Sequence, residues 1–189
     1  MKRLATFAIA ALLVASSAIA QQPQESPAGH YFKNLTLLDQ NGKPVDLYND
    51  VMKGHVVVIN TFFTSCTGSC PIMAGSFQTL QKEFAPQLGK ELHLISISVD
   101  PAHDTPQKLR EWAKRMNAKP GWHFFTGTKE QVDAALRKFG QYTETREGHM
   151  NVILVGNDTT GLWKKLFGLA KPQDIATSVK SVLEDKGGA

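Results

Sequence analysis

Cys66 and Cys70 are the only two cysteines of the chain, and they stand four residues apart in Cys66-Thr67-Gly68-Ser69-Cys70-Pro71. A thiolate is both the nucleophile of disulfide exchange and a ligand for soft metals, so a close pair offers both chemistries. The pair follows the apolar run Val56-Val57-Val58-Ile59-Asn60-Thr61-Phe62-Phe63. Such a run predicts a strand buried on both faces, and the pattern after Cys70 predicts a helix. Strand-to-helix turns are where α/β folds present reactive groups. The free N–H groups and dipole at a helix start also favour a thiolate, so a lowered thiol pKa is expected there. If the segment is helical throughout, the two sulfurs are i, i+4 neighbours and point the same way. The alternative is a structural disulfide. It would close a five-residue loop and contribute roughly 2 kcal/mol, against about 3 for fifteen residues, so a staple made for stability would better join distant segments.

The elements that must position this pair can be read along the chain. Residues 31–38 predict a strand, Asp39-Gln40-Asn41-Gly42 a hairpin turn, and 45–47 the return strand. Residues 55–61 are the central strand. Met73, Phe77, Leu80 and Phe84 share one face of the helix after Cys70. Residues 92–99 form the next buried strand. Thr105 caps a helix, Pro106 suits its first turn, and Leu109, Trp112, Ala113 and Met116 follow at i, i+3, i+4, i+7. Residues 122–126 are a short strand. Thr128-Lys129-Glu130-Gln131 is a capping box ahead of Val132, Ala135, Leu136 and Phe139. Residues 140–148 read as a polar loop. Strands at 151–155 and 162–167 flank a turn at 157–161, and Ile175, Val179, Val182 and Leu183 mark a final helix. Strands alternating with helices give a parallel core, and the late hairpin adds an antiparallel edge. The expectation is an α/β chain of thioredoxin-like layout: a central mixed sheet flanked by helices, with an N-terminal β-hairpin.

The 189 residues suffice for one domain with a real core. Lys2 and Arg3, an apolar stretch at 5–15 and Ala18-Ile19-Ala20 make residues 1–20 a cleavable export signal, with an uncleaved anchor as the competing reading. Residues 21–29 are expected as a flexible leader and 30–186 as the domain. Export implies a periplasmic, oxidising location. Without Lys2 and Arg3 the basic residues fall to 19 against 17 acidic ones, a net charge of about +2. That balance is too small and too evenly spread for a nucleic-acid partner.

Three motifs together resemble the Sco/SenC family. They are the strand ending in Thr64-Ser65-Cys66-x-x-x-Cys70-Pro71, then Ser98-Val99-Asp100-Pro101-x-x-Asp104-Thr105-Pro106, and last His149 ahead of Val152-Ile153-Leu154-Val155-Gly156. The similarity covers nearly all of the chain after the signal. It implies a thioredoxin fold that binds one copper ion, Cu(I) or Cu(II), through Cys66, Cys70 and His149. It also implies delivery of copper to the CuA centre of cytochrome c oxidase, or reduction of that centre's cysteines. The implied partner is cytochrome c oxidase subunit II or another respiratory copper protein. Other periplasmic copper carriers and thioredoxin-like reductants are further partners. Several positions depart from the family pattern. Thr67, Gly68 and Ser69 stand between the cysteines where many members carry an acidic residue. Glu147-Gly148 precede the histidine where many carry Val-Asp, and where many are held by a membrane anchor this chain is expected to be exported soluble.

Two thiolates and one imidazole suit Cu(I), a soft ion, and the imidazole must be neutral to bind. His30, His55, His93, His103 and His123 are expected to have no metal role, His103 in the Asp-Pro loop being the nearest substitute. Met73 and Met150 could offer thioethers but are read as packing or surface. Asp100 and Asp104 are read as fixing a turn and a helix start, with orienting the cysteine loop or a partner as the alternative. The rival reading is a thiol-disulfide oxidoreductase of thioredoxin type with Cys66 and Cys70 as its redox dithiol. Against it stand the CxxxC spacing and the absence of any proline between Pro120 and Pro172, where thioredoxins place one facing the dithiol. A peroxidase would want a Pro-x-x-x-Thr arrangement before Cys66, and the proline is missing.

Overall fold

The computed structural model describes residues 27–188, so the expected signal at 1–20 and the leader as far as residue 26 lie outside the described residues. Seven strands make one sheet: β1 (Thr36–Asp39), β2 (Pro44–Asp46), β3 (Val56–Phe62), β4 (Leu92–Ser98), β5 (Trp122–Thr126), β6 (Val152–Asn157) and β7 (Trp163–Phe167). Their order is β2-β1-β5-β4-β3-β6-β7. β3, β4 and β5 run parallel, while β6 pairs antiparallel with β3, β7 with β6, and β1 with both β5 and β2. This is the mixed, thioredoxin-like sheet that the alternation of patterns predicts.

β3 is buried at all seven positions, because successive side chains enter opposite cores. Val56 and Val58 face a core closed by α2 (Ser69–Glu83), α3 (Pro106–Arg115) and α5 (Pro172–Leu183), with Phe77, Leu80, Trp112 and Val179. Val57 and Ile59 face a core closed by α1 (Pro27–Phe32), α4 (Lys129–Lys138) and a π-helical turn at Tyr48–Met52. The predicted helix starts hold. Thr105 accepts from the Lys108 N–H, and Thr128 and Gln131 make both halves of their capping box. Gly156 is required by close packing, since a Cβ there would lie 2.5 Å from the ring of Trp163.

The N-terminal region differs from expectation. Tyr31 and Phe32 belong to a helix, and the strand begins only at Thr36, after Asn34 turns the chain with φ 64°. The cause is tertiary. Phe32 packs 5.0 Å from Phe139 and 5.3 Å from Trp163, which overrides the strand preference of aromatic residues. α1 opens at Pro27 and Ala28 is buried, so 27–29 are part of the fold rather than of a leader. The hairpin turn is where the Asn-Gly pair puts it, with Gly42 at φ 81°. The turn at Tyr48–Met52 has no counterpart in the sequence reading.

Candidate metal centre

The cysteine arm grows from the end of β3. After Phe62 the chain turns, and the Cys66 N–H donates to the Phe63 carbonyl at 3.1 Å. α2 then starts at Ser69, with Pro71 among the first residues, whose N–H groups have no partner within the helix. Cys70 is therefore helical, but Cys66 sits in the preceding turn, so the pair does not share one helix face as i, i+4 neighbours. Both are free thiols, Cys66 half-buried and Cys70 buried. The expected lowering of a thiol pKa fails at Cys70. Burial pushes it up to about 12, helped by its hydrogen bond with the Cys66 thiol, and the backbone groups that pull the other way do not compensate.

The histidine arm comes from the segment expected to be a polar loop. A 3₁₀ turn at Arg146–Gly148 delivers His149. The imidazole Nδ1 lies 2.8 Å from the Arg146 carbonyl oxygen, which can only accept, so Nδ1 carries the proton and Nε2 keeps a bare lone pair. That Nε2 lies 3.5 Å from Cys70 Sγ. The ring meets Phe63 edge-on at 5.4 Å. The ligand atoms of Cys66, Cys70 and His149 all lie within 4.8 Å of one another. Two sulfurs and one unprotonated imidazole nitrogen converging this closely fit a single soft ion. Among the described residues Cys66 is only half-covered, so its sulfur is open to solvent on one side.

The two arms are joined by a polar chain that the sequence reading saw only in part. Buried Asp104 accepts from the Thr64 backbone N–H at 3.0 Å, from the Thr64 hydroxyl, and from the Ser98 hydroxyl at 2.6 Å. It thus orients the cysteine loop, the second of the two roles considered. Helix α3 is capped by Thr105 instead. Ser98 Oγ in turn accepts from the Asp100 N–H at 3.0 Å. Asp100 accepts from His103 Nδ1 at 2.7 Å and from Arg146 Nη1 at 2.8 Å. Burial opposes the Asp100 charge, but these two hydrogen bonds and the nearby cations outweigh it and hold its pKa below the usual carboxylate value. Arg146 also donates to Glu147 at 2.7 Å and lies over the Phe63 ring. Its guanidinium thus pins the turn whose carbonyl orients His149. Arg146 was missed because nothing in its neighbourhood marks it; its partner is 46 residues away.

Of the other candidates, His103 is not in the cluster of ligand atoms. His103 is committed to Asp100, and Met73 is fully buried under Gly168. Met150 is exposed beside His149.

Residues 22–184 match the family model described as SCO1/SenC. The SCO1 protein homolog of Bacillus subtilis (strain 168) is 32% identical over 171 residues, covering 85% of this chain and 86% of that protein. The solved structure of BsSco, described as having a disulfide switch and as a member of the Sco family of cytochrome c oxidase assembly proteins, is 27% identical. It superposes with a TM-score of 0.65 over 88% of this chain and 98% of that one. ScoI of Arabidopsis thaliana, solved with copper bound, shares the fold with a TM-score of 0.67 at 22% identity, over 80% of this chain and 98% of that one.

Proposed function

The chain belongs to the SCO1/SenC family, and from that membership together with the geometry of its site we propose that it is a periplasmic copper carrier that hands one Cu(I) ion to the CuA centre during cytochrome c oxidase assembly. The observation that carries the reading is the convergence of Cys66, Cys70 and the bare Nε2 of His149 within 4.8 Å. Cu(I) favours soft sulfur donors and accepts low coordination numbers, so three donors suffice and one approach stays open to an acceptor's ligand. Copper is the cargo. The protein's part is to hold two sulfurs and a nitrogen at the right separation and to let go. Cys70 is a protonated thiol without metal, because burial raises its pKa, so loading must expel its proton. The carbonyl of Arg146 keeps the His149 proton on Nδ1 and leaves Nε2 free to ligate. Residues 1–20 supply the export signal for this location.

The test is a titration of reduced residues 21–189 with Cu(I) against a competing chelator. One tightly held equivalent, lost in Cys66→Ser, supports the reading. Weak binding with intact reactive thiols would sink it.

A second reading rests on the contact between the two thiols and on the disulfide switch described for BsSco. Half-buried Cys66 is the accessible sulfur. As thiolate it attacks a target disulfide, forming a mixed disulfide and releasing one target thiolate. Cys70, giving its proton to solvent, then attacks Cys66 Sγ and releases the second. The target gains two electrons and this chain ends as the Cys66–Cys70 disulfide. A failed copper titration with a measurable dithiol potential would favour it.

A further inference from the structure

His55, His93 and His123 stand together at the end of the sheet away from the cysteines. His55 immediately precedes β3, while His93 and His123 are the second residues of β4 and β5. These three strands are neighbours, and the register sets His93 beside Val57 and His123 beside Ile95. The three side chains therefore share the face that buries Val57, Ile95 and Phe125. The length of β3, roughly 20 Å, separates them from the copper site.

The rings form a row. The centroids of His55 and His93 are 4.6 Å apart and those of His93 and His123 5.2 Å, and His93 Nδ1 lies 3.0 Å from His123 Nε2. Each is half-buried. Burial first, and then the neighbouring imidazoles, lower the His93 pKa to about 4, and burial lowers that of His123. At neutral pH these two rings are uncharged, which is the form that ligates metals.

The 3.0 Å separation is that of an N–H···N hydrogen bond, and it already lies within the range of two nitrogens bound to one ion. With metal–nitrogen bonds of about 2.0–2.1 Å and near-tetrahedral angles, the N···N distance falls at about 3.0–3.4 Å. His55 Nδ1 lies 3.2 Å from the Val51 carbonyl, so Nδ1 is the donor and Nε2 has a free lone pair. A ligating histidine commonly makes such a hydrogen bond to a backbone carbonyl through its other nitrogen. The field of Asp39 at His123 also favours a cation.

We propose that His55, His93 and His123 are a second metal site, for a divalent ion of borderline softness, Zn(II) or Cu(II). His93 Nδ1 and His123 Nε2 are already placed; as the ion enters, the ring that carries the proton between them changes tautomer, giving that proton to solvent and taking one up on its other nitrogen, so both rings ligate as neutral imidazoles. The three rings do not yet converge as Cys66, Cys70 and His149 do; His55 turns its Nε2 inward to complete the set, with water in the fourth position. Without thiolate this site holds Cu(I) less tightly than the cysteine pair does, so the dithiol keeps the preference for that ion.

Calorimetric titration with Zn²⁺ and with Cu²⁺ tests this in the full chain carrying Cys66→Ser and Cys70→Ser, once circular dichroism has shown the fold intact. Silencing the cysteines makes the result independent of the copper-carrier reading. The expected result is one equivalent of either ion, nitrogen hyperfine structure in the Cu(II) resonance spectrum, and binding weakened about tenfold or more by His123→Gln or His55→Gln. His30→Gln, at an exposed position, leaves it unchanged. Absence of saturable binding up to millimolar ion, or binding that survives His123→Gln, overturns the proposal.

Discussion

Cys70 reaches the candidate metal site from the core, whereas His149 reaches it from the surface. The thiol is buried on the first turn of a fifteen-residue helix, and the loop before it is tied to buried Asp104 by two hydrogen bonds from Thr64, with a third from Ser98 of β4 holding the carboxylate. The imidazole follows a three-residue turn held down by Arg146, whose guanidinium is partly exposed and bonded to Asp100 and Glu147. Folding sets the first arm as it sets the core. The second depends on ion pairs of the kind that solvent weakens. For the copper carrier proposed above, this division would let the dithiol give tight capture and a loosely held third ligand a route for release.

The largest effect expected is on the rigid arm. Cys66→Ser or Cys70→Ser should abolish tight Cu(I) binding in a chelator competition, and full retention in either would erase the distinction between the arms. Asp104→Ala should lower stability by roughly 2–3 kcal/mol, because three donors lose their acceptor in or near the core. A denaturant midpoint unchanged from the parent would show that the cysteine loop does not depend on this carboxylate. His149→Ala should weaken copper binding without abolishing it and should change the Cu(II) spectrum; an unchanged spectrum would place the third ligand elsewhere.

Acid should act on the far end of the sheet. The folded pKa values of His93 and His123 lie below the ordinary 6.5, so the unfolded chain takes up protons first as pH falls. Stability is therefore complete above about pH 6.5 and is lost toward pH 4, by roughly 1–2 kcal/mol once solvent screening of these half-buried rings is allowed for. Thermal melts of His93→Gln should lose most of that slope. The smallest effect is expected from Arg146→Ala. Stability should change by no more than about 1 kcal/mol, while copper affinity falls by less than in His149→Ala. A stability loss matching that of Asp104→Ala would make the two arms equivalent.

What the sequence disclosed was mostly local. The buried strand before Cys66, the caps at Thr105 and Thr128 and the Asn-Gly turn each depend on residues a few positions apart. What it withheld depends on distance. Residues 31–32 carry a strand-like signal but obey Phe139 and Trp163, more than a hundred positions away. The Cys70 pKa turned on burial, which outweighs the favourable helix start. His149 stands 79 residues from Cys70 and carries no local mark of a ligand; family resemblance singled it out. Arg146 carries none either, since its role exists only through Asp100.

The seven-stranded order leaves β2 and β7 as the outermost strands. β2 is three residues long and begins with Pro44, which has no N–H to offer a neighbour. β7 carries Lys164 and Lys165 in its middle. Short length, proline and lysine are the features that stop one sheet from templating another. The rim is thus poorly suited to accept an added strand, whether from a second copy or from a misfolded neighbour. On the proposed carrier function, an acceptor would be met through the loops that carry the cysteines and histidine, without the encounter turning into aggregation.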